Sequence, residues 1–315
     1  MHVTTLASEC CDNMFSSCTS LVEAPELPAK ILAPYCYRNM FYNCPSLRKV
    51  PQLPATSLAT ECYSWMFANC TSLEEAPQLP AKSMQGRCYE QMFGNCKSLK
   101  EAPELPATTL APHCYFATFS GCTSLTKAPK LPATTLAPYC YRSMFYRCTS
   151  LTKAPELPAT TLVADCYNSM FSECTSLVNG PQLPATTLAQ NSYYGMFYMC
   201  KSLINAPKLP ATTLAQNSYF GMFTGCSSIT SFNFGDQSVF ANLTSSLSQM
   251  FIGCSNLSYI RILFDDRDGA GPRSYTNWTS GVASQGTFVT NTDKWKRGTD
   301  GIPEGWEVVI EETTA

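Results

Sequence analysis

The chain has 315 residues, a formal net charge of −2 and a pI near 5.8, and only 14% of its residues are charged. Its Lys and Arg residues are spread along the chain, which excludes the clustered basic surface that nucleic-acid binding needs. No apolar run is long enough to span a bilayer as a helix, so no transmembrane segment is expected.

The first residues, His2-Val3-Thr4-Thr5-Leu6-Ala7, fall inside a repeat, where later units read Pro-Ala-Thr-Thr-Leu-Ala. An array that opens mid-repeat exposes its core at that edge, so an upstream domain or another chain is expected to cover it. Cysteine then recurs at 18, 44, 70, 96, 122, 148, 174, 200 and 226, eight steps of 26 residues, with Cys254 following after 28. A fixed period of this length is the signature of stacked coils, here ten, with residues 1–264 as the array and 265–315 as a C-terminal cap.

Within one period the apolar residues Leu136, Cys140, Tyr141, Met144, Phe145 and Cys148 fall on one helical face. Thr134 or Thr135 would cap that helix, and Pro138 would sit in its first turn, where a missing N–H costs little. Ser150-Leu151-Thr152-Lys153-Ala154 then reads as a short strand with Leu151 and Ala154 inward, stopped near Pro155. The ninth and tenth coils lack that proline, so Ile229-x-x-Phe232-x-Phe234 and Leu257-x-x-Ile260-x-Ile262 should form longer strands. The expected fold is α/β: a right-handed solenoid with a short parallel β-sheet on its concave face and short helices on its convex face. Ten strands at roughly 4.8 Å spacing would give a sheet on the order of 45 Å long.

The frame carried by Phe145, Cys148 and Leu151, and by Phe251, Cys254, Leu257, Ile260 and Ile262, resembles the BspA-like bacterial leucine-rich repeats. The resemblance covers about residues 10 to 264. Coils one to eight depart from it, with Ala-Pro-x-Leu-Pro in place of Ile-x-Ile-Pro. The tail, with Trp278, Gly286-Thr287-Phe288-Val289, Trp295 and Gly301-Ile302-Pro303-x-Gly305-Trp306, looks like the terminal cap common on such proteins. The resemblance implies a cell-surface or secreted location and a role in adhesion or ligand binding. It implies no catalytic residues and no cofactor.

The 18 cysteines do not read as a disulfide framework. The two columns, as in Cys140 and Cys148, lie eight residues apart, and Ser192, Ser218 and Ser246 replace the first cysteine while Cys200, Cys226 and Cys254 remain. Buried thiols filling a narrow interior are the better reading. Zinc is disfavoured by the absence of C-x-x-C pairs and by only two histidines, His2 and His113. His113 shares its column with Tyr35, Glu61, Arg87, Tyr139 and Asp165, a variety that suits a solvated position better than a general base. Asp265-Asp266-Arg267-Asp268-Gly269 could ligate calcium but lacks EF-hand spacing, and reads better as a polar turn. Asn-x-Ser/Thr sequons at Asn69, Asn242, Asn256 and Asn277 are weak signals in a chain this rich in Ser and Thr. The tyrosine column, from Tyr37 to Tyr219, could stack sugars, but its phase beside Met-Phe favours partial core burial.

The strand face carries the candidate ligand surface. Glu75, Glu101, Lys127 and Lys153 follow one another in one column, and Glu104, Lys130 and Glu156 in a second. Stacked neighbours of opposite sign compensate one another, which keeps a long sheet soluble. The same residues would also line a polar groove for a protein or glycan, the absence of exposed aromatic residues there weighing against the glycan. The expected function is a non-catalytic binding or adhesion module with an unidentified protein or glycan partner; the alternative is a structural spacer.

Overall fold

The computed structural model describes residues 4–236, 245–263 and 274–312. Asp265–Gly269, Asn242 and His2 lie outside them. The chain divides into two compact units, Met1–Ala159 and Thr160–Ala315.

The segment expected to be helical is a ribbon of overlapping turns, and no helix occurs among the described residues. In the second coil the N–H groups of Arg38, Met40 and Tyr42 donate to Tyr35, Tyr37 and Asn39, three residues back, at 3.2, 3.3 and 2.9 Å. The alternate N–H groups of Tyr37, Asn39, Phe41 and Asn43 donate forward to Cys62, Ser64, Met66 and Ala68 of the next coil, at 3.0, 2.9, 2.9 and 2.8 Å. Carbonyls divide the other way, odd ones serving their own coil and even ones the coil before. Every backbone group of the ribbon therefore has a partner without a helix, as burial requires.

The physical reason for the difference is a left-handed residue at every fourth position. Tyr35, Asn39 and Asn43 have φ of 61, 52 and 57°, and the same columns are left-handed coil after coil. An α-helix cannot hold such residues. The apolar spacing, read above as a helical face, fits this ribbon better, because four residues advance about 40° beyond a full helical turn. Three such steps rotate a residue off any helical face, whereas turns of period four put pairs of side chains inward and pairs outward. Pro34 and its equivalents occupy the second position of a hydrogen-bonded turn whose third residue has positive φ, where proline's fixed φ is already correct.

On the other side of the coil the pairing is shorter than the expected ten-strand sheet. In coils one to eight it shrinks to single parallel bridges, such as Glu23↔Lys49, Glu75↔Glu101, Glu101↔Lys127 and Asn179↔Asn205. The prolines that follow have no N–H to continue a ladder. A second column of bridges joins Thr5↔Ile31, Ser57↔Ser83, Thr109↔Thr135 and Thr187↔Thr213, so Thr135 is a pairing residue and not a helix cap. Where proline is absent, real strands form: β1 Ser231–Asn233 and β2 Tyr259–Arg261. The tail adds β3 Thr287–Thr290 and β4 Glu307–Ile310, giving a parallel sheet in the order β1-β2-β3-β4.

The tail also continues the coil layout. Registers Ser231↔Tyr259 and Tyr259↔Thr287 are both steps of 28 residues. Phe251 and Gly253 donate N–H bonds to Trp278 and Ser280, and Asn277 and Gly281 have φ of 53 and 74°. Residues 274–290 thus repeat the ribbon-and-strand plan with tryptophan where the repeats have methionine. Trp278 and Trp306 are buried, their indole N–H groups donating to Gly301 and Ala283 carbonyls at 3.1 and 2.7 Å.

The internal coils bury a common set, whereas in the first coil Met14 and Cys18 are exposed. In the second coil these are Cys36, Tyr37, Met40, Phe41, Cys44, Leu47, Leu53 and Ala55, all at most 2% exposed. Leu157 and Ala159 of the Leu-Pro-Ala segment belong to this core, while Ala154, expected inward, is only half-buried. Phenylalanines stack from coil to coil, Phe67, Phe93 and Phe119 lying 5.8 and 5.6 Å apart between ring centroids. The tyrosine column stacks likewise, Tyr63 to Tyr89 at 5.8 Å and Tyr89 to Tyr115 at 5.7 Å, and each ring is 1% exposed. Burial pushes the phenol of Tyr89 well above its ordinary range. The column is core and offers no stacking platform.

Candidate functional site

The seven strand-face residues fall into two neighbouring depressions of the first unit. Glu104, Lys127, Lys130, Lys153 and Glu156 rim a cavity of about 650 Å³. Its floor is the repeated Ala-Pro-x-Leu-Pro segment, here Ala128, Pro129, Leu131, Pro132, Ala154, Pro155 and Pro158. Glu75 and Glu101 line a smaller one of about 390 Å³ with Glu74 and Lys100.

The floor follows from the local backbone. Single bridges hold adjacent coils at Glu101↔Lys127, and the following proline frees the chain from the ladder. Leu131 and Leu157 turn into the core, at 3% exposure each, and the prolines that follow them, Pro132 and Pro158, are exposed, while Pro129 is buried and Pro155 half-buried. An apolar trough under a charged rim results, which is the usual composition of a site that orients a ligand by few polar contacts.

The rim charges are only partly compensated. Lys127 meets Glu101 at 3.4 Å, Lys49 meets Glu23 at 3.2 Å and Lys100 meets Glu74 at 2.6 Å. Lys100 holds the Glu74 carboxyl below its ordinary range through that hydrogen bond. In the neutral part of the ladder, Asn205 donates to Asn179 at 2.6 Å. Glu104, Lys130, Lys153 and Glu156 form no ion pair with any described residue. Self-compensation thus accounts for Glu101 and Lys127 and leaves the four charges Glu104, Lys130, Lys153 and Glu156 of the larger depression available.

Other candidate chemistry is placed as follows. The ring of His113 stacks on Tyr139 at 4.6 Å between centroids. All 18 cysteines are free thiols, and of these only Cys10 and Cys18 are exposed. Among the described residues no group of three or more His, Cys, Asp or Glu is placed to hold a metal ion. No helix among them is long and apolar enough to cross a membrane.

Parallel backbone pairing between successive coils, a buried leucine beside it and a phenylalanine spine define a leucine-rich-repeat solenoid. A family profile described as "BspA type Leucine rich repeat region (6 copies)" matches residues 4–125, 114–220 and 142–266, and the chain belongs to that family. No catalytic family is indicated. No curated protein matches the chain. Two solved structures are similar to it. A leucine-rich repeat protein from Bacteroides ovatus shares 15% identity with a TM-score of 0.36, covering 98% of this chain and 88% of its own. A leucine rich cell surface protein from Faecalibacterium prausnitzii shares 14% with a TM-score of 0.37, covering 87% of this chain and 76% of its own.

Proposed function

We propose that this chain is a non-catalytic binding module of a cell-surface or secreted bacterial protein, and that its ligand lies on the strand-side face over the Ala128–Pro158 trough. The observation that carries this reading is the cavity of about 650 Å³ with an apolar proline floor and four rim charges without ion pairs. Its occupant is best a protein segment. No aromatic side chain lines the trough to stack a sugar, whereas proline and alanine surfaces suit apolar side chains and Lys130, Lys153, Glu104 and Glu156 suit charged ones. Membership in the BspA-type family supports a surface location.

The test is a binding screen against host proteins and glycans, run on the wild-type chain and on Glu101→Ala/Lys127→Ala/Lys153→Ala/Glu156→Ala. A protein hit weakened by the four substitutions supports the reading. A hit indifferent to them moves the site elsewhere, and no hit leaves the structural spacer as the better account.

A further inference from the structure

On the turn side of the first unit lies a further cavity, of about 440 Å³, and its aromatic wall is Tyr42 and Trp65. Trp65 is unusual for its column. The equivalent residues of other coils are Asn39, Gln91, Ala117, Ser143, Ser169, Gly195 and Gly221, all small or polar. That column is left-handed, and Trp65 itself has φ of 58°. A bulky side chain in that conformation costs on the order of 1 kcal/mol or more, so it stands where the fold would prefer Asn or Gly. Tyr42 meets it edge-on, with ring centroids 6.1 Å apart and planes at 64°.

The rest of the wall is charged and balanced. Arg38 and Arg87 supply two guanidinium groups, and Glu61 and Glu90 two carboxylates. Asp12, beside the cavity, takes two donors of Arg38, the shorter at 2.6 Å, and leaves its third nitrogen 3.7 Å from Glu61; Arg87 lies 3.0 Å from Glu90. Donors that remain on Arg38 and Arg87, the carboxylates of Glu61 and Glu90, and the polar Asn39 and Ser64 line the same cavity as a half-buried indole. Balance of charge argues against an anion, which the carboxylates would repel, and against a quaternary ammonium, which the guanidinium groups would repel.

We propose that this cavity binds a neutral sugar unit, a hexose or N-acetylhexosamine of a glycan, stacked on Trp65. The C–H face of a pyranose ring is apolar and flat enough to lie on an aromatic ring, while its hydroxyl edge both donates and accepts. Guanidinium groups serve the acceptor side of adjacent hydroxyls and carboxylates the donor side. The volume falls within the range of small-molecule sites, about 300–1,000 Å³. The site is separate from the strand-side trough and takes a different class of ligand, so it stands independently of the function proposed above.

The experiment is a glycan array of neutral oligosaccharides with hexose and N-acetylhexosamine ends, probed with the full chain and followed by calorimetric titration of hits. Choline-displaying and sialylated or sulfated probes serve as the charged arms. The variants are Trp65→Asn, which restores the residue of the preceding coil and so keeps the fold, Tyr42→Ala, and the fourfold strand-face variant. The expected result is binding of at least one neutral glycan, weakened about tenfold or more by Trp65→Asn and less by Tyr42→Ala. The strand-face variant should bind it as the wild type does. No neutral glycan bound, a hit indifferent to Trp65→Asn, or preference for the charged probes would overturn the proposal.

Discussion

The thiol of Cys96 donates to the carbonyl oxygen of Phe67 in the preceding coil, 3.1 Å away, and that same carbonyl accepts the N–H of Cys70 at 3.1 Å. The relation recurs along the second cysteine column: Cys122 to Phe93, Cys148 to Phe119, Cys200 to Phe171 and Cys254 to Phe223, at 3.1, 3.1, 3.0 and 3.0 Å. The column therefore fills space and also ties each coil to its neighbour by a donor of fitting length. The first column carries no such contact at Cys88 or Cys114, and it yields to Ser192, Ser218 and Ser246 without loss of the fold. Cys96→Ala should destabilise the protein by about 1–3 kcal/mol, read from denaturant midpoints, because a buried acceptor loses a donor and a small cavity opens. Cys88→Ser should cost less. Equal costs would contradict the distinction between the columns.

Burial makes most thiols inert. It pushes the Cys88 and Cys122 thiols up to about 12 from an ordinary value of 9.0, and raises Cys96 and Cys62 strongly as well. In the native state a thiol reagent should modify Cys10 and Cys18 quickly and the buried columns only after unfolding. The sign with pH follows from linkage. Above about 9 the unfolded thiols lose protons that the folded ones retain, so stability falls as pH rises from about 9 toward 12. Below that window these groups leave stability unchanged. A melting temperature flat between neutrality and strong alkali would contradict the burial.

The left-handed columns set a substitution rule. Asn95 has φ of 59° and its side-chain amide donates to Asn69 at 3.0 Å. Asn95→Val should cost about 1–2 kcal/mol and Asn95→Gly much less, since only the first meets the left-handed penalty. Thermal melts of the two variants check this, and a Val variant as stable as the Gly variant would contradict the assigned backbone.

Surface charge should matter little to folding. Both partners of the Lys127–Glu101 pair are about two-thirds exposed (70 and 66%), and pairs so exposed contribute roughly 0–1 kcal/mol. Lys127→Ala should leave the denaturation midpoint almost unchanged, at low salt as at high. A large loss would make the ladder a structural device and weaken its reading as a ligand surface.

Much of this is legible in the sequence. The period, the inward Cys, Met, Phe and Leu residues, the free thiols and the longer strands near Phe232 and Ile260 all follow from residue spacing. The ribbon of turns is not, and a helix is expected in its place, because Cys140, Met144 and Cys148 are four residues apart and four lies close enough to 3.6 to pass for it over one period. Asn at 39, 43, 69 and 95 with Gly at 121, 195, 221 and 225 was the available signal, since these residues tolerate positive φ best. The coil-like part of the tail was hidden by its altered step of 28 residues and by Trp278 in a methionine position. Neither depression on the strand face has a motif, because their floors depend on which way Leu131 and Leu157 turn. The Trp65 cavity joins residues from adjacent coils that no linear pattern marks.

The ribbon of turns is what everything else rests on, since it orients both faces of each coil. Far-UV circular dichroism of the full chain tests it most directly. A spectrum without the paired minima of an α-helix is expected, as no described residue is helical. A helical spectrum corresponding to one short helix per coil would contradict the ribbon, and with it the placement of the side chains on either face.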